Sequence, residues 1–153
     1  IDLLEKAGLD EQRAIMRNLI RVNPDAARAI KMKLVTVEMI PYLKDGLVLE
    51  LVLGLEREDM LTFLSATRPH VRDLLLSKAP SELADSWLED MEHIASADEA
   101  RYRVVEMLIL GKIRSLASAG ALSILDINDF IFDFKSAAKD VEGRAVASQN
   151  VMA

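Results

Sequence analysis

The chain contains no cysteine. That removes disulfides, thiolate nucleophiles and cysteine-based metal sites, and it fits a reducing compartment. Histidine is scarce as well. His70 and His93 are the two present, with no His-x3-His or His-Glu-x-x-His spacing, so a zinc site cannot be assembled. The six glycines are scattered, which excludes a phosphate-cradling loop and a dinucleotide fingerprint. No apolar run approaches the ~20 residues that span a bilayer, and the longest, Leu47 to Leu55, is interrupted by Glu50. There is no basic stripe either. A net charge of −6 argues against nucleic acid, whose phosphates need clustered Lys and Arg. Neighbouring carboxylates such as Glu89 and Asp90 lack, on an exposed helix face, the desolvation that acid–base catalysis requires. The expectation is a protein that is not an enzyme, with no catalytic residue, metal, cofactor or small-molecule substrate.

What remains is helix-forming and apolar. Hydrophobic residues make up 51% of the 153 and aromatics 5%, so the core is Leu, Ile, Val, Ala and Met, enough for one sizeable domain or two small helical units. The chain opens at Ile1 inside a helical pattern, and the expectation is a domain of a longer protein.

Gly8 ends a first short helix, and Asp10 is placed to cap a second with Ile15, Leu19, Ile20 and Val22 on its apolar face. Asn23-Pro24 is a cap-and-start pair for a third helix carrying Ala26, Ala27 and Ile30. These two helices read as one unit of an α-solenoid. Leu34-Val35-Thr36-Val37 is β-branched and reads as an extended connector. Gly46 to Leu55 is apolar nearly all round, which predicts a central buried helix with Leu47, Leu51 and Val52 inside. Further helices are predicted over Glu56 to Thr67, with Met60, Leu61, Phe63 and Leu64 inside, and from Pro69 to Lys78. Asp98 is placed to cap a long helix with Tyr102, Val105, Leu108, Ile109, Ile113 and Leu116 on its face, stopped by Gly120. Asp126 to Lys139 forms either a last helix, with Ile127, Phe130, Ile131 and Phe134 on one side, or a strand through the alternating Phe130 to Phe134. Phe130 and Phe134 are expected to dock onto the helical domain or a second chain, and a tail of small polar residues follows.

Between Pro80 and Ile94 lies the stretch with the most distinctive charge. Leu83, Ala84, Trp87, Met91 and Ile94 recur at helical spacing, and Glu82, Asp85, Glu89, Asp90 and Glu92 fall elsewhere without one Lys or Arg. Glu82, Asp85 and Glu89 stand at i, i+3 and i+7. Like charges so spaced cost roughly 0.2–0.5 kcal/mol per pair. The face is either a solvated surface of an acidic protein or a ridge turned to a basic partner.

From about Leu9 to Ser123 the order of segments resembles the C-terminal part of the flagellar motor switch family FliG. Asn23-Pro24-Asp25-Ala26-Ala27-Arg28-Ala29-Ile30 is similar to the helix before that family's Met-Phe-x-Phe hinge, which falls on Leu34, Val35, Thr36 and Val37 without its aromatics. Arg72-Asp73-Leu74-Leu75-Leu76 resembles its Arg-Glu-Lys-Phe-Leu. Leu83-Ala84 with Glu89-Asp90-Met91 resembles its torque helix, and Arg114, Leu116, Ala117 and Gly120 its closing Arg-x-Leu-Ala-x-x-Gly.

The resemblance implies an all-α fold, an armadillo-like helical repeat unit over 1–33, a hinge-like connector over 34–45, a compact six-helix-type C-terminal torque domain over 46–125, and an extension over 126–153. It also implies a rotor component in the cytoplasm, peripheral to the inner membrane at the flagellar basal body. Its partners would be switch proteins such as FliM, neighbouring copies of itself in a ring, and the cytoplasmic loop of the stator protein MotA. The torque-helix positions fall on Ser65, Glu82, Asp85, Glu89, Asp90 and Asp98. Glu89 and Asp90 keep the family's acidic pair, whereas its flanking basic positions fall on Ser65, Glu82 and Asp98. A stator loop shaped for mixed charge would meet a purely acidic field here. An adaptor paralogue without a torque role is the alternative.

Overall fold

The computed structural model describes residues 2–94 and 98–132; Phe134 and the tail, with the expectations attached to them, lie outside the described residues. The described residues are all helical, with no strand. In order they form α1 (Asp2–Lys6), α2 (Leu9–Val22), α3 (Pro24–Lys31), a 3₁₀ segment (Val37–Tyr42), α4 (Asp45–Leu53), α5 (Arg57–Ala66), α6 (Pro69–Lys78), α7 (Ser81–Met91), α8 (Glu99–Ser118) and α9 (Ile124–Ile131). The chain divides into two compact units, Ile1–Tyr42 with Arg114–Ala153, and Leu43–Ile113.

In the first unit α2 packs on α3, and α9 packs on both α3 and the 3₁₀ segment. Asn23 caps α3 as its sequence predicts, its side chain accepting from the Ala26 N–H at 3.2 Å with Pro24 next in line. The orphan carbonyls at the other end of α3 are closed from a distance. Asn128 on α9 donates its amide to Lys31 O and to Leu34 O, both at 2.8 Å. Lys31 in turn pairs with Asp129 at 2.8 Å, and Arg13 Nε donates to Ile131 O at 3.1 Å. Helix ends leave such groups unsatisfied, so burying Asn128 completely supplies the partners that α3 needs and fixes α9 at the same time.

Gly120 ends α8 in the left-handed region, at φ 80°. Its N–H reaches Ala117 O at 3.0 Å and the next, from Ala121, reaches Leu116 O at 2.9 Å. This is the reciprocal C-terminal pairing that favours glycine.

Several expectations change here. Gly8, not Asp10, occupies the cap of α2, and Asp10 sits in the first turn. The buried face of α2 is Gln12 and Met16, one step round the helix, while Ile15 and Val22 are 42% and 67% exposed. The cause is Gln12, whose Nε2 donates to Leu4 O at 2.6 Å and turns that side inward. The last segment is a helix and not a strand. It begins at Ile124 because the Ser123 hydroxyl accepts from the Asp126 N–H at 3.2 Å. Phe132, off the predicted apolar side, is buried just beyond the helix end, and Phe130 is half-buried.

In the second unit α4 packs on α6, and α7 packs on α5 and α6. Val48, Leu51, Val52, Met60, Leu61, Phe63 and Leu64 are buried as the apolar spacing predicts; Leu47 is only half-buried and Leu53 is exposed. Phe63 stacks on Tyr102 with centroids 5.8 Å apart. Burial pushes the Tyr102 phenol well above its ordinary range. Lys78 pairs with Asp45 at 2.9 Å, and Arg101 of α8 pairs with Asp59 of α5. Leu51 is 4% exposed, and Leu51→Ala should cost about 2–5 kcal/mol in chemical denaturation. A loss near zero would remove α4 from the core.

Candidate functional site

Helix α7 owes its place to two buried side chains. Ala84 and Trp87, 7% and 3% exposed, are one turn apart and turn inward, with Leu83 and Met91 half-buried beside them. Ile94 lies past the helix end and is exposed. Glu82 in the first turn complements the helix dipole.

The outward side carries Glu82, Asp85 and Glu89, all exposed. None of the three makes an ion pair or a side-chain hydrogen bond among the described residues. Asp90 differs. The first residue of α5, Arg57, places its Nε 3.0 Å and its Nη2 2.5 Å from Asp90 Oδ2. The same Nη2 donates to Ser86 Oγ at 2.6 Å. Ser86 and Asp90 lie one turn apart, so a single guanidinium grips α7 at two points. Adjacent in sequence, Glu89 and Asp90 are thereby electrically unlike: one is a free charge, the other is balanced from within.

Arg57 is the site residue that sequence reasoning missed. It lies 33 residues before Asp90, beyond any helical spacing. A cation at a helix N-terminus is unfavourable to the dipole, and that misplaced charge was the available signal.

The other predicted positions have local roles in this structure. Ser65, exposed on α5, donates its hydroxyl to Thr62 O at 2.9 Å within its own helix. Asp98 is exposed and caps α8 as its sequence predicts, its Oδ1 accepting from the Ala100 N–H at 3.1 Å. Leu34, Val35, Thr36 and Val37 are all buried, at 2% exposure or less. Leu34 to Thr36 is irregular and Val37 opens the 3₁₀ segment, so bending there has to strip four covered side chains. Among the described residues no group of His, Asp and Glu is arranged to hold a metal ion, and no helix is long and apolar enough to cross a membrane.

The matched family spans this whole arrangement. The sequence model of the FliG C-terminal domain covers residues 17–124, well over half of the chain and every position just described. The chain belongs to the FliG C-terminal domain family. FliG is a structural motor-switch protein, not an enzyme.

A crystal structure of FliG from H. pylori, residues 116–343, is similar with a TM-score of 0.54 at 20% identity, covering 78% of this chain and 52% of that one. The likeness is one of fold, and the chain spans about half the length of the solved FliG. No curated protein matches. The FliG match stops at Ile124, the first residue of α9, so the helix that closes α3 lies past it.

The Arg57 contact separates two neutralisations that the sequence alone would treat alike. Asp90→Asn should lower stability by about 0.2–1 kcal/mol, the range for exposed ion pairs. Glu89→Gln should leave it unchanged or raise it slightly by relieving repulsion on the helix. Denaturant titration of the two single variants checks this, and equal effects would mean that Arg57 does not distinguish the carboxylates.

Proposed function

We propose that this chain is a rotor component of the flagellar motor switch, acting by protein–protein contact, with α7 presenting Glu82, Asp85 and Glu89 to a basic partner. The single observation that carries the reading is three uncompensated, exposed carboxylates on one helix of a FliG-family domain. Their mutual repulsion contributes nothing to the fold, and a basic surface would relieve it while gaining steering and register. Asp90 serves as a positioning residue, holding α7 on Arg57. The connector Leu34 to Val37 joins the solenoid-like helices to the torque-type segment. The place of work is the cytoplasmic face of the basal body, beside switch proteins such as FliM.

A second reading is favoured by the residues at the family's basic positions. Ser65, Glu82 and Asp98 supply no cation, so the partner of α7 need not be the MotA loop, and an adaptor paralogue without a torque role fits the same surface. Glu82→Gln, Asp85→Asn and Glu89→Gln made together decide between a docking face and a solvated one. The expected result is a stably folded protein that loses motility in cells and loses salt-sensitive binding in pull-downs with FliM-like and stator-loop fragments. Loss of binding to both with motility intact supports the adaptor. Unimpaired motility and binding would make the ridge a solvated face.

A further inference from the structure

Helix α9 holds the connector from both sides. It packs on α3, which leads into Leu34 to Val37, and on the 3₁₀ segment, which leads out. Two adjacent residues of α9 take both polar ends of Lys31: Asn128 donates to its carbonyl and Asp129 pairs with its amine, each at 2.8 Å. The second Asn128 bond goes to Leu34 O, the first carbonyl of the connector itself. One amide group thus bridges the turn at Met32 and Lys33 and fixes the backbone where α3 gives way to the connector.

Three features make this seam the one that opens. Helix α9 has eight residues, and a helix so short is marginal in water by itself, so it stays helical only while docked. The Lys31–Asp129 pair is weak, because the Asp129 side chain is 49% exposed. Two buried oxygens, Asn128 Oδ1 on α9 and Thr36 Oγ1 on the connector, have no hydrogen-bond partner among the described residues. Exposure to water recovers the free energy that such burial costs. Against opening stand Ile127, Ile131 and Phe132, all buried. The closed form therefore dominates, and the open form is a minor population of the kind that local unfolding draws from the least stable elements.

We propose that α9 is a strap that locks the connector. Leu34 to Val37 bends only when α9 lifts from α3 and the 3₁₀ segment, and α9 loses its helix as it lifts. The FliG match ends at Ile124, so the strap lies past the part of the chain that the family describes. The inference rests on reading the connector as a joint, and not on what α7 binds.

Hydrogen exchange of the full chain, followed peptide by peptide by mass spectrometry where exchange reports the open population, tests this. In the wild type, residues 34–42 and 124–132 should exchange through one shared opening. Asp129→Lys should speed both segments by a common factor, about two- to five-fold for the loss of an exposed pair. Asn128→Ala should speed both about tenfold or more, since two hydrogen bonds are lost together, while α2 and α5 change less. If Asn128→Ala does not fold, Asp129→Lys decides alone, since its site is on the surface. Faster exchange over 124–132 with 34–42 unchanged would mean that α9 lifts without freeing the connector. Equal acceleration of α2 would mean that the unit is merely destabilised as a whole. Either result, or no change in Asp129→Lys, overturns the proposal. Exchange is independent of the motility and partner-binding result for the triple variant, so failure here is separable from failure of the docking reading.

Discussion

The guanidinium of Arg57 reaches from the first residue of α5 to Ser86 and Asp90 on α7, and the character of the whole acidic face follows from that reach. Trp87 and Ala84 hold α7 in the second unit by burial, which is non-directional and by itself fixes depth better than rotation. The two-point grip supplies direction. It draws Asp90 to α5 and balances its charge, while Glu82, Asp85 and Glu89 face outward by helical spacing, so the net charge of the face is set partly by a residue outside the helix. The electrostatic surface of α7 is therefore read from two elements, not from one sequence motif.

A comparable device operates in the first unit. Asn128 finishes the C-terminus of α3 and pins α9, joining residues about a hundred positions apart through two hydrogen bonds. Buried polar groups are costly unless satisfied; the Asn128 amide nitrogen is satisfied twice, by the carbonyls of Lys31 and Leu34, while its Oδ1 has no hydrogen-bond partner among the described residues. The family match ends as α9 begins, yet Ile127 and Ile131 are buried in the described structure. This segment is integral to its unit and not an appendage.

Much of the fold was legible because local rules dominate it. Asn23-Pro24, Asp98 and Gly120 act as the capping chemistry predicts, and the apolar spacing of Met60, Leu61, Phe63 and Leu64 puts all four in the core. Where reading failed, a tertiary contact had overridden a local preference. Gln12 rotates α2 by one residue to reach Leu4 O, exposing Ile15 and Val22. Ser123 starts α9 two residues early, and the described part of the alternating run, Phe130 to Phe132, ends a helix instead of forming a strand. At the candidate site the exposure of Glu82, Asp85 and Glu89 was legible from periodicity. The pairing of Asp90 was not, because no spacing rule links residues 57 and 90.

The central claim is that Arg57 sets the charge which α7 offers. Calorimetric titration of a basic helical peptide into the wild type and into Arg57→Gln measures this most directly. Releasing Asp90 adds a fourth free carboxylate, so the account predicts that the folded variant binds the peptide a few-fold more tightly and with steeper dependence on salt. Equal or weaker binding by a variant that remains folded would contradict it.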